Sequence, residues 1–148
     1  MSGLRDIMAR SLSISRDISA TRLHEKAEIA DGVCALRPQG EASIVEVVDF
    51  VKAAIAYCRG QRLDKLLVNA SGIKGLPMPT MVDRFLAAEE WAREAEGMMV
   101  AVVLVAHAEY IHPKKFGVKV ARELGLMLDV YASEADALAW LAGNPHLA

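Results

Sequence analysis

Two groups of polar residues in this chain have types that could do chemistry. The first is Asn69, Ser71, Gly72 and Lys74 in "NASGIKGLPMPT", which follows the apolar run "KLLV". The second is His107, Glu109, Tyr110 and His112, trailed by Lys114 and Lys115, just beyond the apolar run "MMVAVVLVA". His107 with Glu109 would suit a general base and the carboxylate that orients it, because imidazole titrates near neutral pH and works from one defined tautomer. His107 with His112 would begin a metal site. Neither set is complete: no cysteine or third ligand stands at a recognisable metal spacing, and no nucleophile or glycine-rich phosphate loop accompanies His107. The expectation is a chain with no catalytic residue, no metal and no cofactor. Asn69, Ser71, Lys74, His107, His112, Lys114 and Lys115 stand as ligand-binding candidates. In the first turn of a helix, Lys114 and Lys115 would oppose the macrodipole at about 0.3 to 1 kcal/mol each, and an anion bound beside the free N–H groups would offset that. The plainer alternative is two solvated lysines on an exposed turn.

Helices with legible starts must position these loops. "SIVE" at Ser43 to Glu46 fits the S/T-x-x-E capping box and opens an apolar stripe of Ile44, Val47, Val48, Val51, Ala54, Ile55 and Cys58, which Gly60 can end. "TMVD" at Thr80 to Asp83 opens a second helix, expected to turn Met81, Phe85, Ala88, Ala92 and Ala95 inward and to stop at Gly97. Pro113 suits the first position of a third, and "SEAD" at Ser133 to Asp136 caps a fourth that ends near Gly143. Between them the runs at residues 65–70, 98–106 and 126–132 read as strands, the middle one apolar on both faces as a strand covered on each side would be. "EKAEI" and "VCALRPQG" flank Asp31-Gly32, a strong two-residue hairpin signal. The predicted architecture is α/β: a mixed five-stranded sheet with an N-terminal hairpin, four main helices and a further short N-terminal helix. Ligands of such open sheets sit beyond the carboxyl ends of the parallel strands, where both polar loops fall.

Composition narrows the function classes. A length of 148 residues with 53% hydrophobic content suits one domain with a real core. A net charge of -2 gives no basic excess to neutralise a phosphate backbone, so nucleic acid is not an expected partner. No apolar run has a membrane-spanning length and no signal-peptide pattern is present, which makes a cytoplasmic setting the expectation. Cys34 and Cys58 lie in apolar periodic segments and read as small buried hydrophobes, both reduced. Trp91 and Trp140 are expected at the edge of the core.

The segments "RFLAAEEWAREAEGMMVAVVLVAH", "FGVKVARELGL" and the closing "VYASEADALAWLAG", together with the order of elements, resemble the SpoIIAA-like proteins, small bacterial domains of the STAS (sulfate transporter and anti-sigma factor antagonist) type. The likeness spans residues 22 to 142. It implies a STAS-like fold, a cytoplasmic setting, and a regulatory or binding role toward a protein partner or a small, anionic or lipid-like ligand. In the anti-sigma factor antagonists, the loop after the third strand begins with Asp and carries an Asp-Ser pair whose serine is phosphorylated at the start of the next helix. Here Asn69 stands where that Asp would fall and "LPMPT" where Asp-Ser would. Thr80 is the only hydroxyl near the helix start, and an N-cap needs that oxygen. The expectation is a non-enzymatic STAS-like domain over residues 22–148 without the phosphorylation switch. The alternative is a small enzyme using His107 and Asn69 at the strand-end cleft. Residues 1–21 form an N-terminal extension whose stripe of Leu4, Ile7, Met8 and Leu12 has no evident place on such a sheet, so a homodimer that buries it is expected.

Overall fold

At the hairpin, Asp31 and Gly32 take φ of 54° and 79°. Positive φ at both central residues matches the natural twist of paired strands, and aspartate and glycine tolerate it best. The computed structural model describes residues 26–143. The hairpin joins β1 (Glu28–Ala30) antiparallel to β2 (Val33–Leu36). There follow β3 (Gly40–Glu41), α1 (Ile44–Gln61), β4 (Lys65–Asn69), β5 (Ile73–Lys74), α2 (Met81–Glu94), β6 (Ala101–Val105), a single 3-10 turn at Ala108–Tyr110, α3 (Phe116–Glu123), β7 (Met127–Tyr131) and α4 (Glu134–Ala142). The main sheet runs β1-β2-β4-β6-β7, with every pair after the hairpin parallel, so the predicted mixed five-stranded sheet and four helices are present. The segment expected to be an N-terminal helix, with the dimer contact built on it, lies outside the described residues.

Side chains alternate across the strands and divide the core in two. Cys34, Leu36, Leu66, Val68, Val102 and Leu128 face α1, α2 and α3. Ala35, Leu67, Ala101, Val103 and Val105 face the other way and pack with Ala137 and Leu141 of α4. β6 is thus covered on both faces, as its unbroken apolar run implied. Cys34 and Cys58 are free and buried, and their mutual hydrogen bond together with burial pushes the Cys58 thiol up. Among the described residues no helix is long and apolar enough to cross a membrane.

Capping chemistry explains the helix starts. Ser43 Oγ accepts from the Glu46 N–H at 3.2 Å while Glu46 Oε1 accepts from the Ser43 N–H at 2.8 Å. Thr80 and Asp83 make the same reciprocal pair, at 3.0 and 2.9 Å. Ser133 Oγ accepts from the Asp136 N–H at 3.2 Å.

Several boundaries differ from expectation. α1 runs through Gly60 to Gln61 and ends at Arg62, which adopts the left-handed conformation with φ 58°. β6 starts at Ala101 rather than Met98, because the Ala101 N–H finds its first partner at the Asp64 carbonyl, where β4 is about to begin. α2 presents Ala87, Ala88, Trp91 and Ala92 to the core, while Met81 and Phe85 are 47% and 41% exposed. The small alanines allow close approach and the Trp91 indole fills the remaining gap; its Nε1 donates to the Val48 carbonyl at 3.0 Å. α3 starts at Phe116 rather than Pro113, because Lys115 takes a left-handed φ of 49° and breaks the turn that Pro113 would have opened. A second, two-stranded sheet, β3 parallel to β5, had no pattern to announce it.

At the outer strand β7, Asp129 is the only charged residue among the described ones that is buried. Its Oδ1 receives the Lys115 Nζ at 2.7 Å and the Val130 N–H at 2.8 Å. Its Oδ2 receives the Tyr131 hydroxyl at 2.9 Å and Arg122 Nη2 at 3.2 Å. Arg122 Nε reaches the Leu128 carbonyl at 3.0 Å. Burial alone would raise the Asp129 carboxyl, but Lys115, the Val130 N–H and the Tyr131 hydroxyl outweigh it and hold the group below the usual aspartate range. Burial and the adjoining carboxylate push the Tyr131 phenol up to about 12.

Candidate functional site

Beyond the carboxyl ends of β4, β6 and β7, on the face carrying three helices, lies a cavity of about 180 Å³. Leu104, Leu128 and Val130 form its sheet side, Val47 and Val48 of α1 one wall, Ala87, Ala88 and Trp91 of α2 another. Val118 and Gly117 of α3 close the third. A Cβ placed at Gly117 would sit 3.6 Å from the Arg84 carbonyl oxygen, an ordinary van der Waals contact. α2 and α3 thus lie close together at the mouth. A mostly apolar cavity of this size is large enough to hold a small hydrocarbon; a cavity of ~150 Å³ takes benzene.

The mouth is built from the loop after β6. Tyr110 donates its hydroxyl to the Leu76 carbonyl at 2.7 Å, and Arg84 Nη1 donates to the Tyr110 carbonyl at 3.0 Å, so the turn is tied to the opposite loop and to α2. His107 Nε2 lies 3.0 Å from the Ser71 carbonyl oxygen. That oxygen can only accept, so Nε2 carries a proton and, in the neutral ring, Nδ1 keeps the lone pair. His112 is the reverse: its Nδ1 accepts from the Lys114 N–H at 3.1 Å, which leaves the proton on Nε2. Both histidines and Tyr110 line the cavity.

The predicted candidates therefore separate. His107, His112 and Lys115 line the cavity. Lys115 is not a free cation in a first helical turn: it precedes α3, its ammonium pairs with Asp129 and it lies 4.5 Å over the Tyr131 ring. Lys114 contributes its backbone N–H to His112 and is exposed. Lys74 is exposed on β5, where its carbonyl accepts from the Ala42 N–H at 3.3 Å. Asn69 and Ser71 engage the α4 side of the sheet. Asn69 Oδ1 accepts from the Ser71 N–H and hydroxyl at 2.9 and 2.6 Å, and Asn69 Nδ2 donates to Glu134 Oε2 at 2.7 Å. Arg37 grips the same carboxylate through Nε and Nη2 at 2.7 and 3.0 Å, and Arg37 with Asn69 holds Glu134 below the usual range. Glu109 is exposed within the 3-10 turn. Among the described residues no group of three or more His, Cys, Asp or Glu is placed to hold a metal ion.

Arg84 and Trp91 are the site residues that the sequence did not mark. One arginine in a helix has no telling spacing, and a tryptophan amid alanines reads as core. No protein-family model matches the chain, and no curated protein matches it.

Proposed function

We propose that this chain is a non-enzymatic, STAS-like (SpoIIAA-like) binding domain that holds a small ligand in the apolar cavity at its strand ends, without a phosphorylation switch. The cavity carries this reading: it lies where ligands of parallel sheets bind, and its walls are hydrocarbon with a few polar groups gathered at the mouth. The absence of a switch is supported by Thr80, whose hydroxyl is engaged by the Asp83 N–H. The enzyme alternative draws less support, because Asn69, meant to act with His107, is held by Glu134 on the opposite face. Docking of a protein partner draws on the exposed Met81, Val82, Phe85 and Leu86 of α2. A cytoplasmic homodimer belongs to the same proposal and is tested by light scattering of the full chain and of one lacking residues 1–14.

The direct test titrates the full chain with small apolar probes and follows Trp91 fluorescence, with Trp140→Phe removing the second indole. Saturable uptake is expected, and Ala88→Leu, which fills the cavity, should abolish it while the protein stays folded. A chain that takes up no apolar probe, or an Ala88→Leu variant that binds unchanged, would overturn the cavity as the functional site.

A further inference from the structure

Resting on the cavity as a ligand site, a closer assignment follows from the charges around it. Three charged side chains line the cavity besides the two histidines: Asp83, Arg84 and Lys115. Asp83 is engaged by the Thr80 N–H in the helix cap, and Lys115 is neutralised by Asp129 at 2.7 Å. Arg84 differs from Asp83 in being a cation and from Lys115 in having no counter-charge among the described residues. Its contacts are with the neutral Tyr110 carbonyl at 3.0 Å and, at 3.9 Å, the Met78 sulfur, and no carboxylate among the described residues lies within ion-pair distance of it. A guanidinium has five N–H donors in a planar fork, so most of its capacity is unspent. It is half-buried against an apolar wall, where an unpaired charge is poorly solvated and an arriving anion is correspondingly welcome. His112 lines the same mouth with its proton on Nε2, a second donor and no acceptor toward a ligand.

We propose that the cavity takes a small apolar monocarboxylate, with its hydrocarbon part against Trp91, Leu104 and Val130 and its carboxylate on Arg84 and the His112 Nε2–H. The volume suits a phenyl ring or a short acyl chain, on the order of the benzene that a ~150 Å³ void accepts. Charge selects the head. A carboxylate matches the arginine fork with two oxygens, an alcohol offers one neutral acceptor, and an ammonium is repelled.

Three probes of one shape separate these terms: 3-phenylpropionate, 3-phenylpropanol and 3-phenylpropylamine, titrated calorimetrically into the full-length chain near neutral pH. The acid is expected to bind at least about tenfold tighter than the alcohol, each tenfold being about 1.4 kcal/mol, with the amine weakest. Arg84→Gln should bring the acid down to the alcohol and leave the alcohol unchanged, whereas Arg84→Lys should restore part of the preference. Because the ranking is measured on the unaltered chain, the test stands even if an Arg84 variant fails to fold. Equal binding of acid and alcohol overturns the carboxylate assignment and leaves the cavity standing as a site. Failure of all three probes on folded protein overturns both.

Discussion

The two faces of the sheet meet their carboxyl ends differently. On the α4 side, Arg37, Asn69, Ser71 and Glu134 satisfy one another in a short chain of hydrogen bonds, and little capacity is left for a ligand. On the side of α1, α2 and α3, the strand ends open into hydrocarbon, and the one cation without a counter-charge among the described residues lining it is Arg84. The polar residues of the β4 loop are thus spent on holding the chain together, whereas the receptive surface combines His107 and His112 with apolar residues and an arginine that have no chemical signature in sequence. Buried polar groups are normally saturated, so the informative feature of a site is what remains unsatisfied.

The strongest way to break the contrast is to charge the α4 side. Val103 is fully buried there and pairs in register with Asp129 on the neighbouring strand. Val103→Asp should cost several kcal/mol, since a carboxylate would lose its water and meet a like charge. A thermal melt at the parental midpoint would show that this face tolerates charge.

Removing the carboxylate node at β7 should cost less. Asp129→Ala strands Lys115 and Arg122, but these are 35% and 41% exposed and can rehydrate, so about 2 kcal/mol is expected rather than the 3 to 5 of a fully buried pair. The pH dependence carries the same signature. Because Asp129 is a stronger acid when folded, its contribution is complete above the ordinary aspartate value of about 3.9 and is lost as pH falls through the folded one. Urea midpoints of the parent should therefore drop below about pH 4, and Asp129→Asn should flatten that limb. An unchanged slope would mean other carboxylates dominate acid unfolding.

Thr80→Ala should cost about 1 kcal/mol through the lost cap and leave uptake of apolar probes intact. Loss of uptake at unchanged stability would give that hydroxyl a role beyond capping. The smallest effect is expected at Glu134→Gln, within about 1 kcal/mol because Arg37 is well exposed, again without consequence for the cavity. A change in probe affinity there would show that the two faces communicate.

Much of the fold was legible because its signals are local. The Ser43–Glu46 and Thr80–Asp83 pairs write helix starts in four residues, Asp31-Gly32 writes the hairpin, and the β6 run declares a strand buried on both sides. What escaped depends on distant partners. The break before Phe116 falls at Lys115, whose ammonium bonds Asp129, fourteen residues away. The β3–β5 pairing joins segments only two residues long. In the site, His107 and His112 were visible by type, but Arg84 has meaning only through the carboxylate it lacks, and Asn69 lost its promise through Glu134, sixty-five residues on. The alternation that places Asn69 and Leu104 on opposite faces was readable, yet which face would be hollow was not.

The bonds at β7 have one more consequence. In a parallel ladder, alternate residues turn their backbone toward the neighbour and away from it; Tyr131 turns inward, its carbonyl accepting from the Ala106 N–H, so Leu128 and Val130 turn outward. The outward Leu128 carbonyl is occupied by Arg122 and the outward Val130 N–H by Asp129. An incoming extended chain would find those two groups already taken, so this border of the sheet is a poorer template for strand addition than a bare edge. The opposite border, β1, has all three of its residues exposed and carries no such pair of side-chain bonds among the described residues.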